Sequence, residues 1–130
     1  MVPALCRSLA VIVCLLPALA WALGVGAIEV SSGLNQPLDA RIPIIGAKPG
    51  ELAEVDARLA GEDVFARAGL PRSYALTRLK FQVVATGEDT GYIHVTSHDG
   101  IREPALEFIV DVRWRNGNLR RSFTVLLERK

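Results

Sequence analysis

The side chains with the clearest chemical potential in this chain are His94, His98 and Asp99, groups that can share a proton or a metal ion. On an extended strand the two histidines fall on one face. The rise per residue separates them by about 13 Å, too far for a single ion unless the chain turns at Ser97. Zinc sites gather three or four ligands with supporting partners, and no further ligand stands at a suitable spacing. These residues therefore read as a solvated strand end, with a small exported metal-binding protein or hydrolase as the outlying alternative. Nucleophilic catalysis has less support, because there is no Gly-x-Ser-x-Gly and nothing pairs a serine with either histidine. Gly24-Val25-Gly26 leads into a strand rather than a helix, so it is not a phosphate loop. Most carboxylates alternate with Arg or Lys along strands, the pattern of an outward face. No catalytic residue, cofactor or metal site is assigned, and the expectation is a protein that is not an enzyme.

Two polar segments have a structural reading and a functional one. Asn35-Gln36-Pro37-Leu38-Asp39-Ala40 is first of all a turn leading into a strand. As a binding feature, Asn35, Gln36, Pro37, Asp39 and Arg41 would form a partner-docking edge, where another protein adds a strand. Arg102-Glu103-Pro104 precedes a long strand. There Arg102 and Glu103 read as a structural polar cluster, and Pro104 removes a donor that has no ladder partner.

The elements that must position these residues begin after a leader. Arg7 precedes an apolar run from Leu9 to Ala20, and both Ala18-Leu19-Ala20 and Ala20-Trp21-Ala22 have the small-x-small spacing of a signal peptidase site. A spanning helix needs about 20 apolar residues, and this run stops short. The expectation is a signal peptide over residues 1–22, forming a signal helix, with cleavage after Ala22 preferred to Ala20. Export to the periplasm follows, with no stable membrane span left after processing. The whole chain is 50% hydrophobic, but much of that lies in the leader. Without Arg7 the remainder holds 14 basic residues against 14 acidic ones, so it presents no polybasic face for nucleic acid or an anionic membrane. Cys6 and Cys14 both leave with the leader, and neither sits in a lipidation pattern. Residues 23–130 are then one domain that core burial alone must hold.

Within that domain, Leu106, Phe108, Val110, Val112 and Trp114 alternate with mostly charged residues, Ile109 being the exception. That is a half-buried strand. Asn116-Gly117 is a preferred pair for a two-residue type I′ turn, and Leu119 to Glu128 returns. This loop sets Trp114 opposite Leu119, Val110 opposite Phe123, Phe108 opposite Val125 and Leu106 opposite Leu127. It also sets Val112 opposite Arg121, an arginine reaching the sheet edge or a buried acid, and Arg113 opposite Arg120. Leu79 to Ala85 alternates likewise, and Gly87-Glu88-Asp89-Thr90 leads into Tyr92 to Ser97 with Ile93 and Val95 inward. Val25 to Val30 and Leu38 to Ile45 read as two more strands. Pro43 cannot donate to a ladder, so the second should be an edge or carry a bulge there. Glu62 to Ala68 reads as a short helix, with acids in its first turn, Gly69 past its end and Pro71 beyond. Val55 to Leu59 is compatible with either helical or strand spacing. The pattern predicts a mainly β chain: a single antiparallel Ig-like β-sandwich of about seven strands, with one or two short helices between strands.

In order along the chain, Leu23-Gly24-Val25-Gly26-Ala27-Ile28-Glu29-Val30, Leu34-Asn35-Gln36-Pro37-Leu38-Asp39-Ala40 and Ala57-Arg58-Leu59-Ala60 have counterparts in one family. So do Phe65-Ala66-Arg67-Ala68-Gly69, Leu76-Thr77-Arg78-Leu79-Lys80-Phe81, Ile93-His94-Val95-Thr96-Ser97, Arg102-Glu103-Pro104-Ala105-Leu106-Glu107-Phe108 and Arg121-Ser122-Phe123-Thr124-Val125-Leu126-Leu127. The succession resembles the N-terminal periplasmic domain of the FimV/HubP proteins over essentially the whole chain after the leader. The resemblance implies a strand for Val55 to Ala60 and a non-enzymatic protein-interaction role in type IV pilus assembly, twitching motility or cell-envelope organisation. Its implied partners are periplasmic proteins of the pilus or of the peptidoglycan-linked envelope, with no cofactor. In that family a peptidoglycan-binding LysM module, a membrane span and an acidic cytoplasmic part follow. This sequence reaches Lys130 just after its hairpin, so functions that need those parts are not expected to carry over. The alternative is a fragment of a longer gene of this kind, folded but with little or no task of its own.

Overall fold

Side chains that alternate between apolar and polar need two different surroundings, and in this chain the apolar halves of two sheets supply each other's. The computed structural model describes residues 23–129. The expected signal peptide and signal helix, residues 1–22, lie outside the described residues. The strands are β1 (Gly24–Val25), β2 (Glu29–Val30), β3 (Pro37–Ile45), β4 (Asp56–Leu59), β5 (Leu79–Ala85), β6 (Gly91–Gly100), β7 (Ala105–Trp114) and β8 (Gly117–Leu126). A 3-10 turn (Glu51–Glu54) precedes β4, and the short helices α1 (Glu62–Ala68) and α2 (Tyr74–Thr77) lie between β4 and β5. One five-stranded sheet has the order β1-β3-β6-β5, with β2 also on β3; the other, three-stranded, is β4-β7-β8. Every pairing is antiparallel. The result is the mainly β, Ig-like sandwich that the alternation predicts.

The shared interior takes Leu38 and Ile42 from β3, Ile93 and Val95 from β6, and Phe108, Val110, Val112 and Val125 from β7 and β8, all fully buried. Phe81 of the first sheet meets Phe108 of the second edge-on at 6.3 Å between centroids, and Phe108 meets Phe123 at 6.1 Å. Ile109, on the outward register of β7, is nevertheless only 5% exposed. Beyond β4 the chain continues along β7, with Ala60 N–H donating to Ile109 O at 2.9 Å. It then turns into α1, whose Asp63 acts electrostatically on Arg120 of the outer face. The break in alternation thus marks where the sheet's outer side is covered. Gly69 ends α1 at φ 72°, with Leu70 N–H to Phe65 O and Gly69 N–H to Ala66 O closing a Schellman motif.

Three expectations need correction. The β7–β8 register differs by two residues from that expected of an Asn116-Gly117 turn: Trp114 pairs with Gly117, Val112 with Leu119, Val110 with Arg121, Phe108 with Phe123 and Leu106 with Val125. The loop is Arg115–Asn116, and neither residue has positive φ. A shift of two keeps every side chain on its face, but it brings the two phenylalanines together. It also sets Asp111 rather than Arg113 opposite Arg120, with Oδ1 and Oδ2 at 2.6 and 3.3 Å from the guanidinium. Gly117 lies close beneath Trp114: a Cβ there would stand 3.2 Å from the ring, so the ring would have to move by a few tenths of an ångström to admit one. Arg121 is exposed on the edge strand.

The second correction concerns β3, which is not an edge, since β1 and β2 flank it on one side and β6 on the other. In an antiparallel strand one residue's N–H and C=O point to the same side. Pro43 O accepts from Gly26 N–H at 2.8 Å, so the missing proline donor faces the N-terminal ribbon. That ribbon is interrupted there, which is the third correction: the single strand expected over Val25 to Val30 is β1 and β2, separated at residues 26–28. The irregularity in β3 lies between Pro37 and Asp39 instead.

Truncating the ring that bridges the sheets tests this core. Phe108→Ala should lower unfolding free energy by about 3–5 kcal/mol, while Gln82→Ala on the outer face of β5 should change it by less than about 0.5 kcal/mol. Urea unfolding measures both; a Phe108→Ala loss below about 1 kcal/mol would mean that the ring does not fill the interface.

Candidate functional site

The outer face of the five-stranded sheet carries what the core side leaves over. Odd residues of β3 and even residues of β6 share it, and the register sets Asp39 opposite Thr96, Arg41 opposite His94 and Pro43 opposite Tyr92. Four of these make a connected cluster. His94 Nε2 lies 2.7 Å from Asp39 Oδ1, the ring nitrogen donating to the carboxylate. The Arg41 guanidinium stands 4.7 Å from the Tyr92 ring centre, and Tyr92 meets the His94 ring edge-on at 6.2 Å. Glu29 of β2 is in register with Arg41, and Gln82 of β5 with His94. Ile45, 55% exposed, ends the β3 row.

Asp39 is held from both sides. Its backbone N–H donates to Ser32 Oγ at 2.9 Å, and its carbonyl accepts from Ser31 N–H at 2.9 Å. The hydrogen bond from His94 keeps its carboxyl below the usual aspartate range; partial burial opposes this, and the charges of His94 and Arg41 and a bond from Ser31 add to it. A carboxylate, an imidazole, a guanidinium and a phenol ring on a rigid sheet can recognise polar and aromatic groups of a partner.

The sequence-predicted residues are divided by the fold. Asp39 and Arg41 belong to this cluster. Asn35 adopts φ 67°, a left-handed position that Asn tolerates, and its N–H donates to Ile101 O at 2.7 Å. Gln36 Oε1 accepts from Gly33 N–H at 2.7 Å, and its backbone carbonyl accepts from Ile101 N–H at 3.0 Å. Both are turn residues in the structure, and Pro37 begins β3 opposite Gly100. Since β3 is flanked on both sides, Asn35, Gln36, Pro37, Asp39 and Arg41 cannot act together as a free strand edge. Arg102 and Glu103 are exposed, and neither takes part in an ion pair among the described residues. Backbone bonds hold the start of β7 instead, including Leu127 N–H to Pro104 O at 2.8 Å.

Tyr92 was not legible as a site residue, and His94 was legible only as a solvated strand end or an outlying metal ligand, not as a partner of Asp39. Alternation shows their face, but not that β6 lies beside β3. His98 sits where β6 carries extra residues relative to β3, and it meets Asp99 at 3.2 Å. Among the described residues no three His, Cys, Asp or Glu side chains converge as metal ligands. A groove of about 780 Å³ lies between β4 and β5, and its ionisable lining is Asp56 and Glu88. No described helix is long and apolar enough to cross a membrane.

A family model of the FimV N-terminal domain, an Ig-like domain, matches residues 23–130. Two curated relatives, both named motility hub protein FimV, come from Pseudomonas aeruginosa strains PAO1 and UCBPP-PA14. The chain is 42% identical to each over 124 residues, covering 95% of this chain but only 14% and 13% of theirs. It therefore spans about a seventh of the length of those relatives.

The Asp39–His94 pair yields a pH prediction. A lowered folded-state pKa means the pair stabilises the fold above the carboxyl's unfolded pKa. That contribution is lost as pH falls through the folded-state value. Asp39 is 52% exposed, so the effect should stay below about 1 kcal/mol. In a carbon-detected NMR titration Asp39 should titrate below a solvated aspartate and move up in His94→Ala; an unchanged titration in that variant would show that His94 is not the cause.

Proposed function

The chain belongs to the FimV N-terminal Ig-like domain family, and from that premise we propose that it is an exported, non-enzymatic protein-interaction domain of the periplasm, serving type IV pilus-linked motility or envelope organisation. The observation that carries this reading is the collinear match over residues 23–130, with 42% identity to two motility hub proteins. Its partners are pilus or peptidoglycan-linked envelope proteins, and the leader over residues 1–22 delivers it to them.

The docking surface of this reading is the outer face of the five-stranded sheet. Asp39, Arg41, Tyr92 and His94 are braced against one another across β3 and β6, so little side-chain freedom is lost when a partner seats on them. Arg and Tyr, with Trp, are the residue types enriched among those that dominate protein interfaces. The exposed Ile45 extends the same face with apolar surface. Asn35, Gln36 and Pro37 contribute by fixing the turn that brings Asp39 into place.

Complementation tests the reading. In a strain deleted for the gene, the unaltered chain should restore twitching zones, and Arg41→Glu combined with Tyr92→Ala should restore little. The double variant, altered only on the outer face and away from the inter-sheet core, should keep a single cooperative urea transition like the parent's. Co-purification from envelope extracts should recover pilus or peptidoglycan-linked proteins with the parent and lose them with the variant. Normal twitching in the deletion strain, together with no specific envelope partner, would refute the proposal.

A further inference from the structure

Strand β8 has a bonded neighbour, β7, on one side only. Leu127 N–H donates to Pro104 O, which continues the β7–β8 register and identifies the odd-numbered residues as those whose backbone groups face β7. The Glu128 carbonyl points the other way and accepts from Leu34 N–H at 2.9 Å. Asn118, Arg120, Ser122, Thr124 and Leu126 therefore aim their N–H and C=O groups outward, and no backbone partner meets them there among the described residues. All five are exposed, Leu126 to 71%.

The inward-facing residues of β8 are apolar with one exception. Phe123 and Val125 are buried and Leu119 is half-buried, but Arg121, between Leu119 and Phe123, is exposed at the rim. It takes part in no ion pair among the described residues. A charge on the inward register of an edge strand discourages indiscriminate pairing, because an added apolar strand would bury it uncompensated. It also specifies what would be accepted.

We propose that the open edge of β8 docks an extended segment of a partner protein that carries, on its inward face, one carboxylate between two apolar side chains. A strand added antiparallel bonds to the even-numbered residues. The residue opposite Arg121 then sits in a non-hydrogen-bonded pair, where Cα atoms are about 4.5 Å apart and side chains are closest. An acid there compensates Arg121, and apolar neighbours two positions away on either side lie against Leu119 and Phe123. A second copy of the chain fits less well. Self-pairing would bring Arg120 and Arg121 of each copy against the same stretch of the other, while Asp111 is already engaged with Arg120. This edge belongs to the sheet opposite the face assigned above and does not depend on that assignment.

The probe is a synthetic peptide centred on Val-Thr-Glu-Thr-Val, with hydrogen exchange of the purified protein followed by NMR. In the free protein the amides of Asn118, Arg120, Ser122, Thr124 and Leu126 should exchange fast, and saturating peptide should slow them about tenfold or more. Those of Leu119, Arg121 and Phe123, already bonded to β7, should change little. Replacing the central Glu by Lys should weaken binding about tenfold on the unaltered protein, and Arg121→Glu should reverse that preference. The comparison of the two peptides on the unaltered chain stands even if the variant does not fold. Slow exchange of the even amides without peptide, protection that appears only as protein concentration rises, protection elsewhere, or equal affinity for both peptides would each overturn the proposal.

Discussion

The dry contact between the two sheets is the constraint from which the other features follow. Phe108 stands in its middle, edge-on to Phe81 across the interface and beside Phe123 within its own sheet. The buried residues of the described chain are apolar throughout. No cysteine is present after Cys14 to add a covalent tie. Burial of alternate side chains must then supply the stabilisation that offsets chain entropy. Charged groups are consequently displaced to the outer faces, the rims and the loops. Polar clusters such as the Asp39–His94 pair can form only in those places.

A second constraint acts through hydrogen-bond direction. Odd residues of β3 turn their backbone groups toward the N-terminal ribbon, and Pro43 lacks the donor it would need there. The ribbon answers with a gap at residues 26–28, where Gly26 still donates to the Pro43 carbonyl. Proline is thus accommodated inside a sheet without making β3 an edge. The same parity argument applied to β8 leaves a row of outward backbone groups with no neighbouring strand. Edges in this fold are decided by sheet order, not by the residue types that usually mark them.

Much of the architecture was legible along the chain. The strands β5 to β8 and the hairpin of the last two follow from period-two alternation, and the helix from the Gly69 and Pro71 that end it. Ile109 was visible as a break in alternation, though not as the mark of a covered outer side. The hairpin register was not legible, because the local preference of Asn116-Gly117 for a turn competes with pairings that only the assembled ribbon makes. Phe108 against Phe123, Asp111 against Arg120 and the Trp114 ring over Gly117 prevail together. Of the candidate site, Asp39 and Arg41 were found in the sequence, His94 was noticed but grouped with His98 and Asp99, and Tyr92 was not found.

The sequence by itself determined which side chains face inward, since alternation is a property of neighbouring residues and survives any even shift of register. Only the tertiary structure decided which strands lie side by side. Asp39 and His94 are 55 positions apart, and no local pattern brings them to 2.7 Å. Their meeting, and the solitude of the β8 edge, arise when both apolar faces are buried at once, a condition that the whole chain must satisfy together.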